Sequence, residues 1–511
     1  MSTLTKIAFK NFRVFRSKTE FELLPITFLT GPNSSGKSSI LKALLLLKSN
    51  YSSSLQVLDF SGAKHNLGTF DNTLNKDAST YNEELVFWLQ TNLGSNEKNN
   101  FLLSTFFKQS ITTKRSIYSI LNEYDDSAKS PITIELAYVM NDRSGKLKRI
   151  ELYSKDDAQP FLKLDIGQET EDSNHVLYID SDKILKEKSL SSMFYDMLKA
   201  RGIEPNTKKL APKTYKHRTI FSPKENTKEI YIDEPITVFE HLFKKHLFER
   251  FDVKNRKDIH PYFLSIPIRR ILRDFSEITD NVEYLEAVRA NTKRIYTNDS
   301  QGTSFNELIL EYRSREISQE SLRFTNKWLK LFEIADELKF ENVEGVATTI
   351  FLVRKNKPIA LADLGYGITQ FLPILLKIAL EVPMKPRDAN HLAVVKKIIL
   401  LEEPETNLHP KLQSLIADFL LDAIRTFEIS FIVETHSEYI IRKMQLLSAE
   451  KKIKPKDVAI YYFSPNTEDS DSTAKRINIQ PNGSLSEEFG EGFFDEATNL
   501  KLKLLSSKLA K

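Results

Sequence analysis

Residues 25–40 read PITFLTGPNSSGKSSI. An apolar, β-rich run, Ile26–Leu29, leads into Gly31, Pro32, Asn33, Ser34, Ser35, Gly36, Lys37, Ser38 and Ser39, and helix formers follow from Ile40 to Leu47. Gly-x-x-x-x-Gly-Lys-Ser between a strand and a helix is the arrangement that wraps phosphates. The glycines let the backbone curl until its N–H groups point inward at the anion. The helix opening at Gly36 adds the positive end of its dipole. In that chemistry Lys37 reaches the β- and γ-phosphates of ATP, and the Ser38 hydroxyl meets Mg²⁺. The plainer alternative is a Gly/Ser turn ahead of a helix; lysine and serine together after a strand weigh against it.

A second stretch complements the first. VVKKIILLEE, residues 394–403, is a buried-type strand ending in Glu402 and Glu403. Carboxylates beside a phosphate loop suit Mg²⁺ held through its waters, for Glu402, and orientation or deprotonation of the attacking water, for Glu403. The alternative is a helix start, where Glu before Pro404 is ordinary. The strand FIVET delivers His436 at its end, within reach of a γ-phosphate or the water, although a lone histidine is commonly structural. LGYGITQ, residues 364–370, is a glycine-rich turn ahead of the helical FLPILLKIAL, again an anion-binding geometry.

Taken in order, the phosphate loop, LGYGITQ, EEPETNLHP and ETHSEY resemble the ATP-binding-cassette (ABC) class of P-loop ATPases. The resemblance is to the OLD-like branch with its SMC- and RecF-type relatives, and to the ATPase subunits of bacterial anti-phage defence systems of the Septu type. KNFRVF, VEYLEAVRANTKRIY and ADLGYGITQFLPIL carry it further, over roughly 1–75 and 282–500, and GEGFFDEATNL resembles a small terminal domain attached to such ATPases. It implies that Gly365, Gly367, Thr369 and Gln370 form a signature contacting ATP on a second protomer. It implies that Glu405 and Asn407 lie in the loop at the dimer interface, and that His436 is the switch histidine. Glu402 stands where the broad class has Asp. The class's glutamine-bearing loop has no clear position; Gln56 and Gln90 are the candidates.

Several chemistries lack their residues. The 511 residues include no cysteine, which removes disulfides, zinc knuckles, thiol nucleophiles and iron–sulfur sites. This composition fits a reducing, cytoplasmic setting. The net charge is only +4, and no run of 18 apolar residues suggests a membrane span. The N-terminus alternates like a strand and lacks a secretory signal. Residues 76–281 are too few and too irregular for an SMC arm. OLD nucleases carry a C-terminal metal-dependent nuclease domain, and the 75 residues after His436 are too few for one. Asp469-Ser-Asp471 reads as an exposed acidic turn.

The elements positioning these groups follow from periodicity. LTKIAFKNF, TEFELL and ITFLT read as strands, with a helix over 38–48. Residues 78–125 read as mostly helical. Residues 131–181 alternate with period two and predict a small antiparallel sheet. Residues 183–260 read as helical and charged, and 201–257 hold 14 Lys/Arg against 8 Asp/Glu, net +6. KKLAPKTYKHRTIFSPKENTK within them is a nucleic-acid surface or a solvated loop. From about 282 strands and helices alternate to 465, and the tail ends in a lysine-rich helix.

The expected fold is α/β: an ABC-class P-loop ATPase head with a large mixed α+β insertion between the phosphate loop and the signature. Residues 1–75 and 282–465 form the head, 76–281 the insertion and 466–511 a small C-terminal domain. The expected function is an ATP-binding and ATP-hydrolysing subunit of a prokaryotic anti-phage defence complex. Its expected partners are a second copy or a multiple of dimers, a separate effector nuclease and nucleic acid, with no membrane. The alternatives are a RecF-type DNA-repair ATPase and a nuclease whose site lies within 76–281.

Overall fold

The computed structural model describes residues 3–51, 56–62, 64–78, 83–92, 131–154, 157–167, 174–180, 183, 213–218, 271–272, 275–287, 296–297, 308–309, 311–312, 317–343, 347–363, 365–381, 395–464, 474–490 and 493–509. The chain opens with β1 (Thr3–Lys10), β2 (Thr19–Glu22) and β3 (Ile26–Thr30), followed by helix α1 (Lys37–Tyr51) and β4 (Val57–Leu58). Next come β5 (Leu85–Asn92), β6 (Pro131–Asn141), β7 (Ser144–Ser154), β8 (Leu162–Asp165), β9 (Asn174–Ile179) and β10 (Lys213–Arg218). Then follow β11 (Val282–Leu285), β12 (Tyr296–Thr297), α2 (Gln319–Leu331), β13 (Glu337–Val343), β14 (Ala347–Arg354) and β15 (Lys357–Ala360). Last are α3 (Tyr366–Ala379), β16 (Ile398–Glu402), α4 (Pro410–Phe427), β17 (Ser430–Glu434), α5 (Glu438–Ala449), β18 (Val458–Phe463), β19 (Ala474–Ile477) and α6 (Glu496–Leu509).

These elements form two compact units. One comprises 1–22, 42–282 and 386–396; the other comprises 23–41, 283–385 and 397–511. In the first, β10-β9-β8-β7-β6-β5-β1-β2 form one sheet, nine-stranded with β4 on β7. Its strand pairings are antiparallel throughout. Alternation along β1 and β5 sends Phe9 and Phe87 to one face, where they meet Phe12, Phe15 and Phe21. Asn11 and Arg13 take positive φ to make that tight turn, and the Asn11 amide donates to Glu83 at 2.9 Å.

Three expectations change here. The strands expected over 131–181 exist, but they belong to a large sheet that also recruits β1, β2 and β5. Period two reveals strands; it does not reveal how many distant strands join them. The helical reading of 78–125 fails at β5, whose LVFWLQTN is rich in β-branched and aromatic residues. The helical reading of 183–260 fails at β10, KTYKHR, the last strand of the sheet among the described residues. Residues 93–130, 184–212, 219–270 and the Asp469-Ser-Asp471 turn lie outside the described residues.

The second unit holds a six-stranded sheet, order β11-β16-β17-β3-β18-β19, beside a smaller sheet of β12, β14, β13 and β15. β16, β17, β3 and β18 run parallel. ITFLT and VAIYYF are buried at every position, as expected of strands covered on both faces. Parallel strands need crossovers, supplied by α4 between the neighbours β16 and β17 and by α5 from β17 to β18, which flank β3. α2, α3 and α4 bring Trp328, Phe332, Phe371 and Phe419 together; Phe332 and Phe371 stack with centroids 3.8 Å apart. Each such buried ring stabilises the unit by about 1.5–3 kcal/mol.

Candidate nucleotide site

Parallel pairing fixes which residues reach one edge. Glu402 of β16 is in register with Glu434 of β17, and Glu434 with Leu29 of β3. The chain leaves β3 into the phosphate loop, β16 into Glu403 and β17 into His436. All three turns therefore lie at the carboxyl ends of adjacent strands, where open parallel sheets bind ligands.

The loop's glycines have distinct reasons. Gly31 has φ of 134°, and a Cβ there would collide with the Phe463 carbonyl at the end of β18. Gly36 has φ of 103° and Ser34 of 62°. Pro32, Asn33 and Ser34 are exposed on the rim, whereas Ser35 and Ser39 are buried. The Ser35 hydroxyl donates to the Pro32 carbonyl at 2.8 Å, and the Ser39 N–H donates to Gly36 O at 3.0 Å. Lys37 is 3% exposed. Its Nζ donates to the carbonyls of Pro32 at 2.7 Å and Gly31 at 3.2 Å. The cation thus sits inside the curl, at the first residue of α1.

The acids surround it. Glu434 Oε1 accepts from the Ser38 hydroxyl at 3.1 Å and lies 3.9 Å from Lys37 Nζ. Glu434 is 7% exposed, and its Oε2 has no hydrogen-bond partner. Burial raises its carboxyl to about 7; Ser38 and Lys37 pull the other way, and Glu402 and Glu403 add to the rise. Burial also lowers the Lys37 ammonium, against the pull of Glu434 and Glu403. Tyr284 of β11 hydrogen-bonds to Glu402, and burial with that carboxylate raises its phenol.

Glu403 begins the turn after β16 with φ of 42°. Its N–H donates to the Glu434 carbonyl at 2.8 Å, and the Thr406 hydroxyl donates to its Oε2 at 3.1 Å. The side chain is oriented by its own turn, as a water-positioning carboxylate requires. His436 is exposed at the rim; burial and Lys37 lower its imidazole, with Glu403 opposing. The neutral ring is thereby favoured beside the loop.

Glu405 is tied into its own chain. It is buried, and its Oε1 accepts from Thr435 Oγ1 at 2.8 Å and from the His436 N–H at 2.7 Å. It ties the acid turn to the histidine turn within one chain. Asn407, with φ of 62°, is exposed.

The signature stretch divides in two. Helix α3 begins at Tyr366 with Gly365 as its cap, so Gly367 lies within the first turn, not ahead of it. A Cβ on Gly367 would collide with the Asn407 carbonyl, whereas among the described residues nothing lies within 4 Å of the Cβ position of Gly365. Thr369 and Gln370 are 3% and 2% exposed. Their side chains are packed inside the chain, whereas Gly365 is exposed. Of the two glutamine candidates, Gln90 sits on β5 and its amide donates to Thr133, while the backbone carbonyl of Gln56 accepts from the Leu147 N–H.

The donors fit a nucleotide with Mg²⁺. Ser38 and Glu402 supply hard oxygens, and the orphaned oxygen of Glu434 shows that the site contains more negative charge than its own donors satisfy. Glu434 and Glu405 were both quotable from the sequence, in FIVETHS and EEPETN. The missing signal was register, which alone aligns Glu434 with Glu402.

Known proteins share parts of this chain. Endonuclease GajA of Bacillus cereus (strain HuB5-5) is 23% identical over 447 residues, 84% of this chain and 54% of that protein. The chain thus spans about half the length of that curated relative. Solved SMC heads align over nearly the whole chain at low similarity. The head of Pyrococcus furiosus, bound to the C-terminal domain of ScpA, gives a TM-score of 0.37 at 14% identity, covering 99% of this chain and 100% of that one. The head of Thermotoga maritima gives 0.36 at 10%, covering 94% and 99%. A family profile described as a protein of unknown function (DUF3696) matches residues 453–504. The profile of the AAA ATPase domain matches residues 3–441, from β1 through the phosphate loop, the acid pair and His436. The chain belongs to the AAA ATPase domain family.

Proposed function

We propose that this chain is an ATP-hydrolysing subunit of a prokaryotic anti-phage defence complex, cytoplasmic, controlling a separate effector nuclease. The observation that carries the ATPase reading is the convergence of Lys37, Ser38, Glu402, Glu403 and His436 at one edge of the parallel sheet. The defence reading rests on the resemblance of the motif set and on a relative that is named an endonuclease.

Lys37 and the N–H groups of the loop bind the β- and γ-phosphates. Ser38 and Glu402 hold Mg²⁺, which when bound neutralises phosphate charge. Glu403 orients the attacking water and takes its proton. His436 contacts the γ-phosphate side from the rim. The opposite side of the γ-phosphate needs donors that one loop does not supply. The exposed start of α3 at Gly365 offers them to a second copy, giving two equivalent composite sites about a two-fold axis. Closure also excludes water.

Complementation tests this. Gly365→Asp is the variant to use, because its Cβ meets nothing among the described residues, whereas Gly367→Asp would break the packing on Asn407. A Lys37→Ala chain and a Gly365→Asp chain should each be inactive, and mixing them should recover part of the ATPase activity by restoring one whole site per mixed dimer. A strictly monomeric, active enzyme in sedimentation would sink the dimer. Tight duplex-DNA binding without an effector would move the assignment to a RecF-type repair ATPase.

A further inference from the structure

We propose that Glu434 is a ligand of the nucleotide-linked divalent cation, acting with Ser38 and Glu402 as a carboxylate from the histidine strand; this rests on the ATP-site reading above. The Ser38 hydroxyl, which the phosphate-loop chemistry directs at the cation, donates to Glu434 Oε1 at 3.1 Å. A group bonded to one ligand of a site at that distance is within reach of the same ion. Glu402 is the register partner of Glu434, so the two carboxylates leave neighbouring parallel strands at one level.

The second line of argument is electrostatic. Glu434 is more than nine-tenths buried, yet its Oε2 has no donor. An uncompensated buried carboxylate oxygen is costly, and native proteins keep such groups where an ion or a water completes them. Lys37 does not complete it, because Nζ stands 3.9 Å from Oε1 and gives its hydrogen bonds to Gly31 and Pro32. Among the described residues no cluster of three or more His, Asp or Glu side chains is placed to hold a metal alone. Two carboxylates and a hydroxyl form an incomplete shell, which the oxygens of bound phosphates finish. That is the manner in which Mg²⁺ is held with nucleotides. The cation is therefore expected to bind only together with the nucleotide.

Glu434→Gln separates this role from a purely structural one. The amide oxygen still accepts from Ser38, but the charge is gone. The probe is Mn²⁺, followed by electron paramagnetic resonance on the full chain with a non-hydrolysable ATP analogue. Affinity for the same analogue is measured in parallel with metal chelated. The wild-type chain should bind Mn²⁺ only with the analogue present. Glu434→Gln should weaken Mn²⁺ binding by roughly 10–100-fold, the scale for disrupted metal shells, and should not lower the metal-free affinity, since it takes a negative charge away from the phosphates. Retained metal-free binding also reports that the variant is folded. Glu434→Asp keeps the charge but withdraws it, and should fall between the two; it carries the comparison if the glutamine variant does not fold. Equal Mn²⁺ affinity in variant and wild type overturns the assignment. So does a matching loss of metal-free affinity, which would place Glu434 with the loop instead. A wild-type chain that binds no analogue under either condition overturns the ATP-site reading itself.

Discussion

Two pairs of glutamates face each other across strands, one in each unit. In the antiparallel sheet Glu135 of β6 is the register partner of Glu151 of β7; in the parallel sheet Glu402 is the partner of Glu434. Like charges directly opposite destabilise a sheet. The first pair is answered from within. Arg149 sets its guanidinium 2.9 Å from Glu84, Glu135 and Glu151, hydrogen-bonding to the first two and meeting Glu151 through Nε by charge alone. Trp88 donates to Glu135 at 2.7 Å, and Tyr153 donates to both acids of the pair. Lys163, next in register, lies 3.5 Å from Glu151. The second pair receives hydroxyls from Ser38 and Tyr284 and a lysine at 3.9 Å, and one oxygen stays unanswered. A matched set of donors makes an acid pair structural. An unmatched set, beside a phosphate loop, makes it a binding site.

The largest effects should come from the unmatched pair's surroundings. Lys37→Ala removes the cation facing the phosphates; at about 1.5–3 kcal/mol per charged hydrogen bond, two such bonds correspond to a loss of on the order of 10²–10⁴ in nucleotide affinity, read by calorimetry. Unchanged affinity would place the nucleotide elsewhere. Glu403→Gln keeps the turn and removes the base. Turnover should fall by roughly 10²–10⁴, while the ATP-bound form accumulates. Native turnover in this variant would remove Glu403 from the reaction.

Next comes the contrast itself. Arg149→Met should strand Glu135 and Glu151 and lower unfolding stability by as much as about 3–5 kcal/mol, the usual cost of breaking a buried pair. The urea midpoint measures this, and nucleotide affinity of the folded protein should stay unchanged. Glu434→Gln, tested without metal, should not lower that midpoint, since it removes a buried charge that no donor set balances. Were both variants equally destabilised, the distinction between matched and unmatched pairs would fail.

The smallest effect is on pH. Burial pushes the Glu84 carboxyl up, but hydrogen bonds and charge from Arg149 and Lys148 outweigh it and hold the group below its ordinary range. A carboxyl lowered by folding contributes stability above its ordinary value, and loses it as pH falls through the folded value. Glu84→Gln should therefore lower stability at neutral pH by about 0.2–1 kcal/mol, the scale for a partly exposed pair, and leave it unchanged at pH below the folded value, so that the acid limb flattens. An unchanged acid limb would remove Glu84 from the network.

The candidate residues were nameable from the order of motifs. Gly31–Ser38, Glu402, Glu403 and His436 were each nameable because local chemistry restricts which residues cradle phosphate and which end a buried strand. The close approach of Gly367 to the Asn407 carbonyl and the burial of Thr369 and Gln370 were not, because both depend on how α3 packs. Likewise LVFWLQTN carried its strand signal locally, whereas the size of its sheet did not reside in any window.

The sequence by itself determined the phosphate loop, the buried parallel strands and the identity of the acids, since glycine placement, apolar runs and side-chain chemistry act over a few residues. Tertiary structure alone decided that Glu434 stands beside Glu402 and Ser38, and that Glu405 grips the His436 turn. Those contacts join positions up to 396 residues apart in the chain. Only the register of β16, β17 and β3 brings them within hydrogen-bond distance.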